Sequence, residues 1–84
     1  MKATLKLFAT LSKWLPAEAQ RTSRIDLELE PGTTVQDLID RYRIPPDQCA
    51  LVLVNGAFVA PADRATRILA EGDTVAIWPP VGGG

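Results

Sequence analysis

One amphipathic helix among several strand patterns is the feature that most constrains how this chain can fold. In this helix, near the middle of the chain, apolar residues recur at i, i+3, i+4 and i+7: Val35, Leu38, Ile39 and Tyr42. Thr34 followed by Asp37 predicts a capping box where this helix begins. The helix is expected to end at Ile44-Pro45-Pro46, because proline clashes with a continuing helix.

Strand patterns lie on both sides of this helix. They cover residues 3–9, 25–30, 50–54, 57–59 and 74–78. Asn55-Gly56 predicts a hairpin turn between the third and fourth of these strands. The sequence also predicts a short helix over residues 10–15, an exposed loop over 17–23, and an irregular loop with one helical turn over 61–70.

A single helix cannot cover both faces of a sheet of about five strands, so these patterns favour an α+β fold with the helix across one face. The long connections between the first and last strands allow these two to lie side by side in the middle. The prediction is therefore a β-grasp, or ubiquitin-like, architecture with a mixed sheet. We expect a β-grasp domain over residues 1–78 and a flexible C-terminal tail over residues 79–84.

Composition excludes several classes of function. The 84 residues contain no histidine, so neither a Ser-His-Asp triad nor an imidazole metal site can be built. The single Cys49 cannot form an internal disulfide and is expected to be buried and inert. A formal charge of −1 argues against nucleic-acid binding, and the longest apolar run, residues 49–54, is too short to span a membrane. We expect a cytoplasmic domain that binds no metal or cofactor and has no catalytic machinery of its own.

The last six residues read Pro79-Pro80-Val81-Gly82-Gly83-Gly84. Fixed φ angles at the two prolines favour an extended path away from the sheet. Glycine has no Cβ and wide φ freedom, so the last residues can enter a narrow enzyme site. The competing interpretation is a frayed chain end without function.

The chain resembles a known family in several short motifs that occur in the same order. They are Leu7-Phe8-Ala9-Thr10-Leu11, Pro31-Gly32-Thr33-Thr34-Val35, Val54-Asn55-Gly56, Glu71-Gly72-Asp73 and the tail ending in diglycine. This set resembles the ubiquitin-like sulfur carriers, nearest to the small subunit of molybdopterin synthase (MoaD-like), with ThiS-like proteins as cousins. Gly82 departs from the family, in which Ala or Ser commonly precedes the final diglycine.

The resemblance implies a mechanism at the C-terminus. An E1-like enzyme would use ATP to adenylate the carboxylate of Gly84, and sulfur from a donor protein would convert it to a thiocarboxylate. Pro80, Val81, Gly82 and Gly83 would insert into the partner sites. The large subunit of molybdopterin synthase would then receive the sulfur for molybdenum- or tungsten-cofactor synthesis.

Three alternatives remain open at this point. The first is ThiS-like sulfur transfer for the thiazole of thiamine. The second is a ubiquitin-like modifier that joins Gly84 to lysines of other proteins. The third is a small interaction domain with an inert tail.

Two aromatic residues are the candidate partner-binding site. Alternation along the first and last strands places Phe8 and Trp78 on the face opposite the helix, close to the tail. Either both belong to an exposed docking patch, or one of them lies in the core and the strand register is shifted by one residue. Trp14 is expected in the core, whereas Phe58 is left open. Four cations are candidates for steering acidic partners: Lys2, Lys6, Arg64 and Arg67.

Overall fold

One mixed sheet organises the protein in a computed structural model, which describes residues 1–80. Five strands occur in this range: β1 (Lys2–Leu7), β2 (Arg24–Glu28), β3 (Leu51–Val54), β4 (Ala57–Phe58) and β5 (Thr74–Trp78). Their order across the sheet is β2-β1-β5-β3-β4, with β1 and β5 parallel and the other pairs antiparallel. The predicted β-grasp arrangement, with first and last strands adjacent in the middle, is confirmed.

Alternation along the strands separates a buried face from an open one. On β1 and β5 the residues that face the core are fully or almost fully buried: Ala3, Leu5, Leu7, Val75 and Ile77. The helix α2 (Val35–Arg41) contributes three buried residues to the same core: Val35, Leu38 and Ile39. Because α2 covers only this face, side chains on the opposite face of the sheet stay available to solvent.

The predicted capping box begins α2. The Asp37 N–H donates to Thr34 Oγ1 at 3.1 Å, and the Thr34 N–H donates to the Asp37 carboxylate at 3.0 Å. Loop carbonyls accept the next two free N–H groups, those of Val35 (3.0 Å) and Gln36 (2.8 Å). All of these helix donors therefore have partners within the protein, which leaves none to bind a ligand at this end.

One of two predicted segments near the N-terminus differs from the prediction. The short helix predicted over residues 10–15 is present as a 3-10 helix, Ala9–Trp14. Residues 17–23 were predicted to be an exposed loop, but Ala17–Gln20 form the one-turn helix α1, which buries Ala19. The sequence of this segment has no apolar period that would predict a helix, because a single small side chain is enough to anchor the turn to the core. Trp14 is partly buried against the core, in the direction predicted.

The loop from residue 61 to residue 70 also buries an unexpected side chain. It begins with a 3-10 helix, Pro61–Asp63, followed by Arg64, which is only 6% exposed. The Arg64 guanidinium donates to the Cys49 carbonyl at 2.9 Å. The prediction that Arg64 steers partners is therefore wrong, because its charge is used to tie the loop to the start of β3. Cys49 itself is buried, and burial raises the pKa of its thiol.

Candidate docking surface beside the tail

Phe8 and Trp78 are in contact on the open face of the sheet. In the parallel pairing of β1 with β5, Leu7 lies opposite Ile77, so the residues that follow each of them are neighbours. The two aromatic rings stack with centroids 4.3 Å apart and planes inclined by 9°. Both side chains are half-buried, which leaves part of each ring exposed. The structure thus places the predicted pair together outside the buried core, whereas its binding role stays a prediction.

Strand register extends this pair into a larger apolar surface. Leu51 lies opposite Trp78, and Leu53 lies between Ala76 and Phe58 on its two neighbouring strands. We call this surface the open-face patch; it comprises Phe8, Leu51, Leu53, Phe58, Ala76 and Trp78. Phe58 is 60% exposed and Leu51 is 39% exposed. Adjacent exposed apolar side chains of this kind are typical of a protein-binding surface.

Sequence reasoning missed Leu51 and Leu53. The uninterrupted apolar run of residues 50–54 is typical of a strand buried on both faces, so it carried no sign of an exposed side. Only the pairing of β3 with β5 and β4 shows which of its side chains share a face with Trp78. Phe58, left open by the sequence, belongs to the exposed group.

The rest of the open face is charged. Strands β1 and β2 carry Lys2, Lys6, Arg24, Asp26 and Glu28 on this side. The Thr4 hydroxyl donates to Asp26 at 2.9 Å, and together with the nearby Arg24 this lowers the pKa of that carboxyl. The open face is therefore divided into an apolar half over β5, β3 and β4 and a polar half over β1 and β2.

The C-terminal tail leaves the sheet beside the open-face patch. The last ladder bond on this side runs from the Ala50 N–H to the Trp78 carbonyl, at 3.0 Å. Pro79 follows directly and has no N–H to continue the ladder, and Pro80 is already exposed. The predicted site residues Val81, Gly82, Gly83 and Gly84 lie outside the described residues.

Two of the motifs that carry the family resemblance, Val54-Asn55-Gly56 and Glu71-Gly72-Asp73, hold the start of β5 in place. The Asn55 side chain donates to the Asp73 carboxylate at 2.8 Å and accepts from the Thr74 N–H at 2.9 Å. The second oxygen of Asp73 accepts from the Ala70 N–H at 2.8 Å. Asn55 also adopts a positive φ of 51°, which asparagine tolerates better than most residues. These residues therefore fix the register of β3 against β5, which positions the open-face patch.

Within residues 1–80, no group of three or more histidine, cysteine or acidic side chains is placed to hold a metal ion. No helix in the same range has the length and hydrophobicity needed to cross a bilayer.

Comparison with known proteins gives a family and several structural relatives. The model of the ThiS family matches residues 6–84. SAMP1 from Haloferax volcanii is 26% identical over all of both chains, with a TM-score of 0.68. Small archaeal modifier protein 1 from Methanosarcina acetivorans is 27% identical over 99% of this chain and 96% of its own, with a TM-score of 0.62.

A further structure shares the fold alone. Molybdopterin converting factor, subunit 1, from Pyrococcus furiosus is 24% identical over 95% of this chain and 98% of its own, with a TM-score of 0.63. No curated protein matches the sequence. Because the family model spans nearly the whole chain, this protein belongs to the ThiS family of small ubiquitin-like sulfur carriers and modifiers.

Proposed function

We propose that this chain is a sulfur carrier that serves as the small subunit of a molybdopterin synthase. In this role the Gly84 carboxylate attacks the α-phosphate of ATP on an E1-like enzyme, forming an acyl-adenylate and releasing pyrophosphate. Sulfur at the sulfide level, delivered by a donor protein, then attacks the carbonyl carbon and displaces AMP. The resulting thiocarboxylate passes its sulfur to a pyranopterin precursor held by the synthase large subunit.

The match of the ThiS family model through residue 84 is the observation that carries this proposal. The match includes the Gly82-Gly83-Gly84 end, whose lack of Cβ atoms suits entry into a narrow enzyme site. The position of the open-face patch supports it further, because a partner that covers Trp78 also meets the tail where Pro79 leaves the sheet. In this proposal the chain binds no cofactor, and ATP is consumed by the activating enzyme.

A second candidate function is that of a protein modifier. Two solved relatives with more than a quarter of their residues identical to this chain are named as archaeal modifier proteins. The same Gly84 acyl-adenylate would then be passed to a lysine amine of a target protein, forming an isopeptide bond. Both functions share the activation step and differ in the nucleophile that consumes it.

Activation is tested by incubating the protein with ATP and the E1-like enzyme of its own organism, with and without a sulfur donor. Intact mass should rise by the replacement of one oxygen with sulfur, and the change should map to the C-terminal peptide. Cys49→Ser is the matched control and should gain the same mass. One alanine added after Gly84 should prevent activation, because it moves the carboxylate and puts a Cβ in the narrow site. Sulfur found on Cys49, or normal activation of the extended chain, would contradict the proposal.

The molybdopterin carrier, the thiamine carrier and the protein modifier differ in the reaction that follows activation. A carrier should regenerate Gly84 carboxylate when the synthase large subunit and its pterin precursor are added. It should also restore growth to cells that lack the molybdopterin synthase small subunit. Rescue only of cells that lack the thiamine carrier would instead assign the thiazole branch. Lysine-linked adducts on denaturing gels would assign the modifier function.

A further inference from the structure

Alternate residues of β5 form backbone hydrogen bonds to opposite neighbouring strands. The Thr4 N–H donates to the Asp73 carbonyl at 2.9 Å, and the Phe8 N–H donates to the Ile77 carbonyl at 3.1 Å. Odd-numbered residues of this segment therefore direct their backbone groups toward β1, whereas even-numbered residues direct theirs toward β3. Because the bonds of a parallel pair are evenly spaced, the next donor toward β1 is the N–H of residue 79. Its acceptor would be the Phe8 carbonyl.

The Phe8 carbonyl is oriented to accept that bond. Phe8 has an extended backbone, with φ −99° and ψ 160°, so its carbonyl stays on the side that faces β5. The same carbonyl accepts from the Leu11 N–H at 3.0 Å, and its second lone pair can accept another donor. Ala9 then adopts a positive φ of 52°, which turns the chain away from β5. Phe8 is therefore the last residue along β1 that can pair with the tail.

Pro79 occupies the position from which the tail could bond to this carbonyl. Proline has no N–H, so the parallel ladder stops after the bond from Phe8 to Ile77. Its φ is also fixed at about −65°, away from the value of about −120° in a parallel strand. Any other residue at position 79 would supply the missing donor and could extend the ladder by one bond. Pro79 thus separates the tail from β1 directly after Trp78.

Pro80 faces β3, where no backbone acceptor is oriented toward it. Even-numbered residues of this segment bond to β3, as the Trp78 carbonyl does with the Ala50 N–H. Continuing the register of β3 with β5 puts residue 80 opposite Cys49. The ψ of Cys49 is 68°, which is not extended, and its carbonyl instead accepts from the Arg64 guanidinium. A donor at position 80 would therefore gain no strand partner, so the two prolines are not equivalent.

We propose that Pro79 is a positioning residue for activation, because it withholds a backbone donor from the Phe8 carbonyl and so keeps the tail from pairing with β1. This inference rests on the proposed function, in which the tail delivers Gly84 to the activating enzyme. A paired residue 79 would continue in the plane of the sheet, so the tail would leave at another angle and misplace its carboxylate. One backbone hydrogen bond favours pairing about two- to twelvefold, which leaves one tail in about three to thirteen unpaired.

The test compares full-length chains that differ at a single tail position. Pro79→Ala supplies the donor, and N-methylalanine at position 79 removes it again without restoring the proline ring. The N-methyl chain is made by ligating residues 1–48 to a synthetic peptide of residues 49–84, because Cys49 provides the thiol that ligation needs. Pro80→Ala is the matched control, since it also loses one proline but gains no strand partner.

Two measurements should report the same factor. In Pro79→Ala, NMR should show that hydrogen exchange of the residue-79 amide is slowed about three- to thirteenfold relative to an unstructured peptide of the tail sequence. Its kcat/KM for pyrophosphate release by the activating enzyme should fall by about the same three- to thirteenfold, because only the unpaired tail is activated. The N-methyl chain and Pro80→Ala should both keep kcat/KM within about twofold of the wild-type value.

The proposal is overturned if Pro79→Ala keeps the wild-type kcat/KM, or if its residue-79 amide exchanges as fast as in the peptide. It is also overturned if the N-methyl chain or Pro80→Ala is activated as slowly as Pro79→Ala, because loss of proline stiffness would then be the cause. Failure of the proposed function looks different, since the wild-type chain itself would release no pyrophosphate. The exchange measurement needs no enzyme and still shows whether a donor at position 79 pairs with Phe8.

Discussion

Removing either ring of the Phe8–Trp78 stack should destabilise the protein only moderately. Truncation of a fully buried aromatic side chain costs about 3–5 kcal/mol. Both rings are half-buried, so we expect Phe8→Ala and Trp78→Ala each to cost about 1.5–2.5 kcal/mol. For a domain of this size, that corresponds to a fall in Tm of roughly 6–20 °C.

Mutual stacking should make the two losses less than additive. Aromatic pairs in contact contribute about 0.5–1.5 kcal/mol beyond the burial of their area. The centroid distance of 4.3 Å and near-parallel planes place this pair in close contact. The double variant should therefore cost less than the sum of the single variants by about 0.5–1.5 kcal/mol.

The assay is a double-mutant cycle in guanidinium chloride, followed by far-UV circular dichroism so that loss of Trp78 fluorescence does not matter. Additivity within about 0.3 kcal/mol would refute a direct interaction between the rings. Complete unfolding of both single variants would refute their placement on an exposed patch, because only core residues carry that cost.

Binding to the activating enzyme gives a second readout of the same variants. Each should weaken the complex by more than about 1 kcal/mol if the open-face patch is the docking surface. Ile68→Ala is the matched control, because Ile68 is 56% exposed but lies outside the patch, next to Thr34. If all three variants weaken the complex equally, the open-face patch is not the docking surface.

Three further predictions concern the tail, the Asn55–Asp73 contact and acid stability. Deletion of residues 83–84 should change the free energy of unfolding by less than about 0.5 kcal/mol, since chain ends contribute little. A Tm loss of several degrees in calorimetry would show that the tail packs into the fold. Asp73→Ala should cost about 1–3 kcal/mol in urea unfolding, because the Asn55 amide and a backbone N–H lose their acceptor; an unchanged midpoint would contradict this contact. A hydrogen bond from the N-terminal ammonium lowers the pKa of Glu28. This ion pair therefore stabilises the fold fully at pH values above the pKa that Glu28 has in the unfolded chain. The stabilisation is lost as the pH falls through the lowered pKa of the folded protein. Glu28→Gln should therefore flatten the acid limb of stability below about pH 4, and an identical limb in both proteins would count against this ion pair.

Local signals account for the parts of the fold that the sequence predicts well. Helix α2 carries its period, its capping box and its proline stop within about a dozen consecutive residues. In strands β1, β2 and β5 the alternation of apolar and polar residues in the sequence matches the alternation of buried and exposed side chains in the structure. The face of each strand that packs on the core is therefore predictable from one sequence. The hairpin at Asn55-Gly56 follows from turn chemistry alone.

Long-range pairing accounts for the parts that were missed or left open. The sequence predicts that Arg64 is an exposed cation. In the structure, the loop places it against the carbonyl of Cys49, fifteen positions away. The exposed side of Leu51 and Leu53 depends on their pairing with β5, which lies more than twenty residues further along the chain. Neither fact has a local signal, because it depends on which segments become neighbours.

The sequence by itself determined the main helix, the five strands, their order, the ubiquitin-like class and the glycine-rich end, because helix period, strand alternation and turn chemistry act over a few residues. The tertiary structure decided that Phe8 and Trp78 stack, that Leu51, Leu53 and Phe58 join them, and that β2 lies at the edge of the sheet. These features arise when distant strands pair, and the free energy that selects one pairing is shared among many residues of the core.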